Sequence, residues 1–341
     1  MEHAEKCFLP GRRSVLGLAA GLLGGTALRA HAQGATWKPA RPINLIVPWA
    51  AGGATDQVTR QAALELEKPL GQTIVIINQP GASGAIGTNS CLSAVRDGYT
   101  WTAGAAQDLG SYETLGTGKA RITDWNLYLS IGNVWVLAVP AGSPYKSVKD
   151  IIAAMAAKPN SVSCAVAGST SGMDQIAKAA NVTFRRVKYD GGAPAVIATV
   201  QGETDCTTQL ASEEADMIRA GKLIPLAAIG DKPLQLDGYG VIPALSDSIP
   251  GFTAPANSFG IFIPKGVPDE VVATMNHIWA TTIASSEVMK KYATSHGALF
   301  VPVYGEEAQK LVFPAVQFNA WMLFNTGQAK VKPDTVGIPA P

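Results

Sequence analysis

Short apolar runs alternate with helix-period stretches in two separate series along this chain, and that alternation limits its fold more than any other feature. The first series opens with the apolar run 43–47. Glycines follow, then a helical stretch over 57–68 with Val58, Ala62, Ala63 and Leu66 on one side. A second strand is predicted at 73–77. Pro80-Gly81 and Gly84 turn into a small-residue helix ending near Val95, and Asp97-Gly98 leads into a third strand at 99–103. Strand, helix, strand, helix, strand implies an α/β fold whose parallel sheet is covered on both faces.

The second series repeats the scheme. Ser147-Val148-Lys149-Asp150 resembles a capping box and starts a helix reaching about Ala157. Strands are predicted at 163–167, 183–188, 204–209 and 223–229, with helices opening at Gly168–Gly172 and over 194–200. Two series in one chain imply two similar lobes. The apolar segments 133–139 and 258–263 are the expected crossings between them. Helical patterns at 269–284, 287–296 and 306–324 are expected to return to the first lobe. That divides the chain into 33–138 with 259–341 for the first lobe and 139–258 for the second.

The N-terminus reads differently. Gly11-Arg12-Arg13 precedes an apolar run over 14–28, and Ala30-His31-Ala32 supplies a small-x-small cleavage pattern, so residues 1–32 are expected to be an export signal. The paired arginines suit twin-arginine export and also occur in Sec signals. Lys6, Arg12, Arg13 and Arg29 against Glu2 and Glu5 make this segment +2 of the chain's +1, which leaves −1 on the remainder. Nothing strongly basic is left to attract nucleic acid. A soluble, exported monomer is expected. Of the four cysteines Cys7 lies in the expected signal; the remaining Cys91, Cys164 and Cys206 lack metal-site spacing, and their odd number excludes a pure disulfide scaffold. Cys164 and Cys206 either pair or remain buried thiols.

Ligands of open parallel sheets sit beyond the C-terminal strand ends, where helix N-termini converge. Three loops meet that description. The first runs from Pro48 to Asp56 and includes Trp49, Ala51, Gly53 and Thr55; its glycines allow close backbone approach and its helix start attracts a carboxylate. The second, Gly168 to Gly172, places the hydroxyls of Ser169, Thr170 and Ser171 in a row. The third is Tyr189-Asp190-Gly191-Gly192. Each also has a purely local reading: Thr55, Asp56, Ser169 and Ser171 are good helix caps, Gly191 and Gly192 are turn residues, and Trp49 suits a core cover.

Several stretches in order resemble the Bug-type receptors of tripartite tricarboxylate transporters. They are Arg41-Pro42-Ile43 with Val47 to Asp56, Asn78 to Gly87, Asp97-Gly98-Tyr99-Thr100, Tyr189 to Ala195, Gly202-Glu203-Thr204-Asp205 and Pro264-Lys265-Gly266-Val267-Pro268. The resemblance implies a two-lobed periplasmic-binding-protein fold of the type II kind, with a ligand cleft between lobes. It implies hinge closure on a small organic acid and delivery to membrane permease subunits. Carried over by position, it implies contacts from Trp49, Ala51, Gly53, Thr55 and Asp56 in one lobe and Ser169, Thr170, Ser171 and Asp190 in the other. Gln107 and Asp108 follow the third strand.

The chain departs from that pattern in places. Ala51 stands where the family commonly has proline, the 107–124 segment is shortened, and Asp190 is an unusual acid. None of these loops carries Lys or Arg, so citrate would find little neutralisation. Asp108 and Asp190 instead favour a ligand with an ammonium, amide or hydroxyl group, which makes an amino-acid-like or amide solute the other expected ligand.

Other classes lack their machinery. Gly81-Ala82-Ser83-Gly84-Ala85 fails as a nucleophile elbow, and no Walker loop, His-Glu-x-x-His or Cys-x-x-Cys is present, so no enzyme, cofactor or metal site is expected. A hydrolase stays as the remote alternative. A receptor presenting its ligand to a sensor kinase would use the same fold, and the sequence does not separate it from a transport receptor.

Overall fold

The computed structural model describes residues 36–254 and 257–341; the expected export signal at 1–32 lies outside them. From Trp37 onward the chain builds two sheets. Strands β1 (Ile43–Val47), β2 (Ile74–Asn78), β3 (Thr100–Ala105) and β4 (Trp125–Asn133) begin the first, with helices α1 (Ala54–Leu70) and α2 (Ala85–Leu92) between them. The second sheet holds β5 (Trp135–Pro140), β6 (Ser163–Ala167), β7 (Arg185–Tyr189), β8 (Cys206–Leu210) and β9 (Leu223–Ala228). Its helices are α3 (Val148–Ala157), α4 (Gly172–Ala180), α5 (Gly192–Val200) and α6 (Ala211–Arg219). A small hairpin, β10 (Leu234–Leu236) with β11 (Gly240–Ile242), follows. The chain then returns as β12 (Asn257–Pro264), α7 (Asp269–Ile278), α8 (Glu287–Ser295), β13 (Leu299–Tyr304) and α9 (Gly305–Asn325).

The two sheets share one plan. The first has the order β13-β4-β12-β3-β1-β2 and the second β7-β6-β8-β5-β9. In each, the strand just after a crossing runs antiparallel to both neighbours, β12 between β3 and β4 and β5 between β8 and β9; in the first sheet β13 also pairs antiparallel with β4. The predicted crossings are therefore themselves strands. The chain changes sheet at Val134, and lobe limits at 138 and 258 cut through β5 and β12. A paired strand next to a crossing has the same apolar run as a linker through a core, so sequence pattern alone does not separate the two.

Burial on both faces explains the apolar strands. In β1, Ile43 and Leu45 face a core shared with Val58, Ala62 and Leu66 of α1, Met275 of α7 and Met289 of α8. Ile46 points the other way, toward Ala85 and Cys91 of α2 and Val312 and Val316 of α9. In β5, Leu137 and Val139 pack with α3 and α4, while Val136 and Ala138 meet Val196 of α5 and Ala215 of α6. Each fully buried Leu, Ile or Val contributes about 1.5–3 kcal/mol. Trp101 and Trp279 are completely buried and still satisfied: Trp101 Nε1 donates to the Gly98 carbonyl at 2.8 Å and Trp279 Nε1 to that of Leu129 at 2.7 Å. All three cysteines at 91, 164 and 206 are buried free thiols, so Cys164 and Cys206 sit side by side in register on β6 and β8 without a bond.

Candidate functional site

The C-terminal ends of β1, β3, β6 and β8 converge on one cleft of about 500 Å³ between the two sheets. Its first-lobe wall is Trp49, Gly53, Ala54 and Thr55 after β1, Gln107 and Asp108 after β3, and Asn257 and Phe259 of β12. The facing wall is Trp135 of β5, Gly168 and Thr170 after β6, Gly192 at the start of α5, and Gln209, Leu210 and Glu213. Trp49 spans the gap. Its ring packs against Gly84 in one lobe, where a methyl would come within 3.1 Å, and against Gly168 in the other.

Helix starts aim at this space. Helix α1 begins at Ala54 behind Gly53, which offers no side-chain cap, and α5 begins at Gly192 behind Gly191, again uncapped. Such N-termini carry partial positive charge and unspent N–H groups. Glu213 answers both. The Ala54 N–H donates to Glu213 Oε1 at 2.8 Å, across the cleft, and the Leu210 N–H donates to Oε2 at 3.2 Å. The carboxylate lies against Gly192 so closely that a methyl at that position would collide with it. Burial pushes the Glu213 carboxyl above the usual range, and the two N–H donors only partly offset this.

Further bonds join the lobes around the cleft. The Ala50 N–H donates to the Asp190 carbonyl at 3.3 Å, and Lys188 Nζ donates to Ser83 Oγ at 2.5 Å. Asn319, buried on α9, accepts from the Thr170 hydroxyl and donates Nδ2 to the Gln107 carbonyl at 3.1 Å. It therefore ties the loop after β6 to the loop after β3. Asp108 accepts no hydrogen bond at its carboxylate from a described residue, and burial pushes its pKa up to about 7. Asn257 Oδ1 is buried and has no partner among the described residues.

Six of the eleven sequence-derived candidates meet at the cavity: Trp49, Gly53, Thr55, Gln107, Asp108 and Thr170. The other five do not line it. Ala51 and Asp190 are exposed, and only the Asp190 backbone takes part in the lobe contact. Asp56 is buried behind α1, where its carboxylate accepts from Arg60, the Gly52 N–H and Asn78 Nδ2. Burial raises that carboxyl, but these donors outweigh it and hold the pKa below the ordinary value. The Ser171 hydroxyl donates to Asp174 at 2.9 Å at the start of α4. The Ser169 hydroxyl is buried without a described partner beside the cavity.

Glu213, Asn319, Asn257 and Trp135 are absent from the sequence reading. The rule that chose the other loops, a helix start directly after a strand, also selects Ala211-Ser212-Glu213-Glu214 after β8. That stretch carries no glycine or hydroxyl run to mark it.

The chain was compared with known proteins. Residues 58–321 match the family model described as "Tripartite tricarboxylate transporter family receptor". A UPF0065 protein from the tcbD-tcbE intergenic region of Pseudomonas sp. (strain P51) is 30% identical over 305 residues, covering 84% of this chain and 88% of that one. Among solved structures, the periplasmic binding protein BugD is 24% identical with a TM-score of 0.77, covering 85% of this chain and 99% of its own. The R. palustris protein Rpa4515 with adipate is 26% identical with a TM-score of 0.76, covering 85% and 98%. With two like-built lobes, a cleft at their strand ends and a family model spanning most of its length, the chain belongs to the tripartite tricarboxylate transporter family of receptors.

Proposed function

We propose that this protein is an exported periplasmic receptor that closes its two lobes on a small organic solute and delivers it to a tripartite tricarboxylate-type permease. The observation that carries the reading is the cleft, which draws contacts from four strand ends in two lobes and encloses a space suited to a small molecule. The relative crystallised with adipate shares the fold at 26% identity, which supports a solute carrying a carboxylate. The cleft offers such a group the loop of Ser169 and Thr170 and two indole walls.

Closure follows from the contacts. A solute held by the Trp49–Thr55 loop alone favours neither state; one that also touches Thr170 and Gln209 favours the closed one by that difference. No helix among the described residues is long and apolar enough to cross a membrane, and no cluster of metal-ligating side chains occurs among them. The match to a family of receptors supports action by binding rather than catalysis.

A thermal-shift screen against mono- and dicarboxylates, aromatic acids, amino acids and amides tests the reading. Denaturing mass spectrometry for a co-purified solute should accompany it. A solute at a hundred times its Kd adds about 2.7 kcal/mol of stability. No shift across the panel and no co-purified small molecule would refute the receptor assignment.

A further inference from the structure

The two helix starts that face the cleft are already supplied with an anion by the protein. Glu213 reaches from α6 across the gap, accepts the Ala54 N–H of α1 at 2.8 Å and lies on Gly192, the first residue of α5. A free carboxylate from a solute would ordinarily be drawn to such a pair of N-termini. Here that seat is filled by a side chain whose own helix, through the Leu210 N–H, holds it in place.

The remaining polar groups of the cavity point the same way. Asp108 on the opposite side has no described hydrogen-bond partner at its carboxylate. Asn257 Oδ1 is 4% exposed as a residue, unpartnered and on the cavity wall. No Lys, Arg or His lines the cavity among the described residues, and its aromatic walls are Trp49, Trp135 and Phe259. Glu213, Asp108 and Asn257 Oδ1 are thus acceptors that no cationic side chain of the lining answers. A dicarboxylate would set its second charge beside Glu213 or Asp108 in a site poor in water, where like charges repel strongly. An ammonium or amide N–H would satisfy them, and the indoles favour a cation as well.

We propose that Glu213 determines the specificity of this cleft, and that its solute carries no more than one carboxylate and brings an ammonium or amide N–H group to Glu213 and Asp108. The proposal rests on the cleft being the solute site. Matched probes test it: adipate, 6-aminohexanoate and adipic acid monoamide, together with the four- and five-carbon homologues of each, titrated calorimetrically into the wild-type protein, Glu213→Gln and Asp108→Asn. The expected result is that an amine or amide probe binds wild type about tenfold or more tightly than the dicarboxylate of equal length. Glu213→Gln should shrink that ratio by a similar factor, and Asp108→Asn should shrink it in part and serves if Glu213→Gln does not fold. A wild-type preference for the dicarboxylate, or a ratio unchanged in both variants, overturns the proposal. Failure of every probe on wild type also overturns it; the receptor reading is then decided separately by the co-purified solute.

Discussion

Asp108 makes a sharp prediction because its carboxylate sits in the cleft without a described partner, and burial alone raises its pKa from 3.8 to about 7. Between those values the unfolded chain releases a proton that the folded chain retains. Folding stability therefore falls as pH rises from about 4 and reaches its lower plateau above about 7. At 1.36 kcal/mol per unit, the full cost is roughly 4 kcal/mol. Water entry and parting of the lobes relieve some of that, so we expect Asp108→Asn to gain about 2–4 kcal/mol at pH 8 and nearly nothing at pH 4. For a chain of this size that is a Tm increase of roughly 4–8 °C at pH 8. Scanning fluorimetry of both proteins from pH 4 to 8.5 reads it directly. A Tm gap equal at both ends of the range, or a variant less stable at pH 8, would refute the reasoning.

Other consequences are equally open to measurement. Gly192→Ala places a methyl where the Glu213 carboxylate lies and forces that side chain to shift, so the preference for an amine or amide over the dicarboxylate of equal length should fall when measured by calorimetry. Asp56→Ala removes the acceptor for Arg60, Gly52 and Asn78 and should cost about 1–3 kcal/mol in urea unfolding at pH 7. Because the Asp56 pKa is lowered on folding, its contribution is present above 3.8 and is lost as pH falls through the folded value, so the gap between variant and wild type should narrow as the solution is acidified below 3.8. Solute affinity in Asp56→Ala should stay within about threefold, since the side chain faces away from the cavity. Burial pushes the Cys91 thiol up to about 12, and the hydrogen bond with Cys164 together with burial raises the Cys206 thiol well above its usual value, so a disulfide reagent should label neither in the native protein at pH 8 and both after denaturant is added.

Much of the architecture is legible from pattern. β1 spans the predicted 43–47, and β6 the predicted 163–167, because each is a short, mostly apolar run cut off by a residue that ends strands, Pro48 in one and Gly168 in the other. Helix α3 starts where the Ser147 cap announces it, with the Asp150 N–H donating to Ser147 Oγ. Helix α1 begins three residues earlier than its periodicity suggests, since Gly53 caps it without a side chain to read. Helix α6 and strand β4 escaped notice: the first lies behind Leu210 with no cap signal, and the second merges in pattern with the crossing that follows it.

The site was legible by loop more than by residue. Strand-end logic finds Trp49, Thr55, Asp108 and Thr170, yet it cannot separate a cap from a contact, and Asp56 and Ser171 prove to be held by their own helices. Asp190 offers the expected acid but turns it outward. Glu213, to which we assign that role, sits on a helix whose first-turn acids look, in sequence, like ordinary dipole partners. A long-range bond such as Ala54 to Glu213, 159 positions apart, has no local signature.

The most direct test of the account is a crystal structure of the protein with its tightest-binding solute. The account predicts that solute in the cleft, touching Trp49 or Thr55 from one lobe and Thr170 or Gln209 from the other, with a nitrogen donor facing Glu213. A solute bound to one lobe only, or outside the cleft, would contradict closure as the mechanism, and a solute carboxylate displacing Glu213 from Ala54 would contradict its part in choosing the ligand.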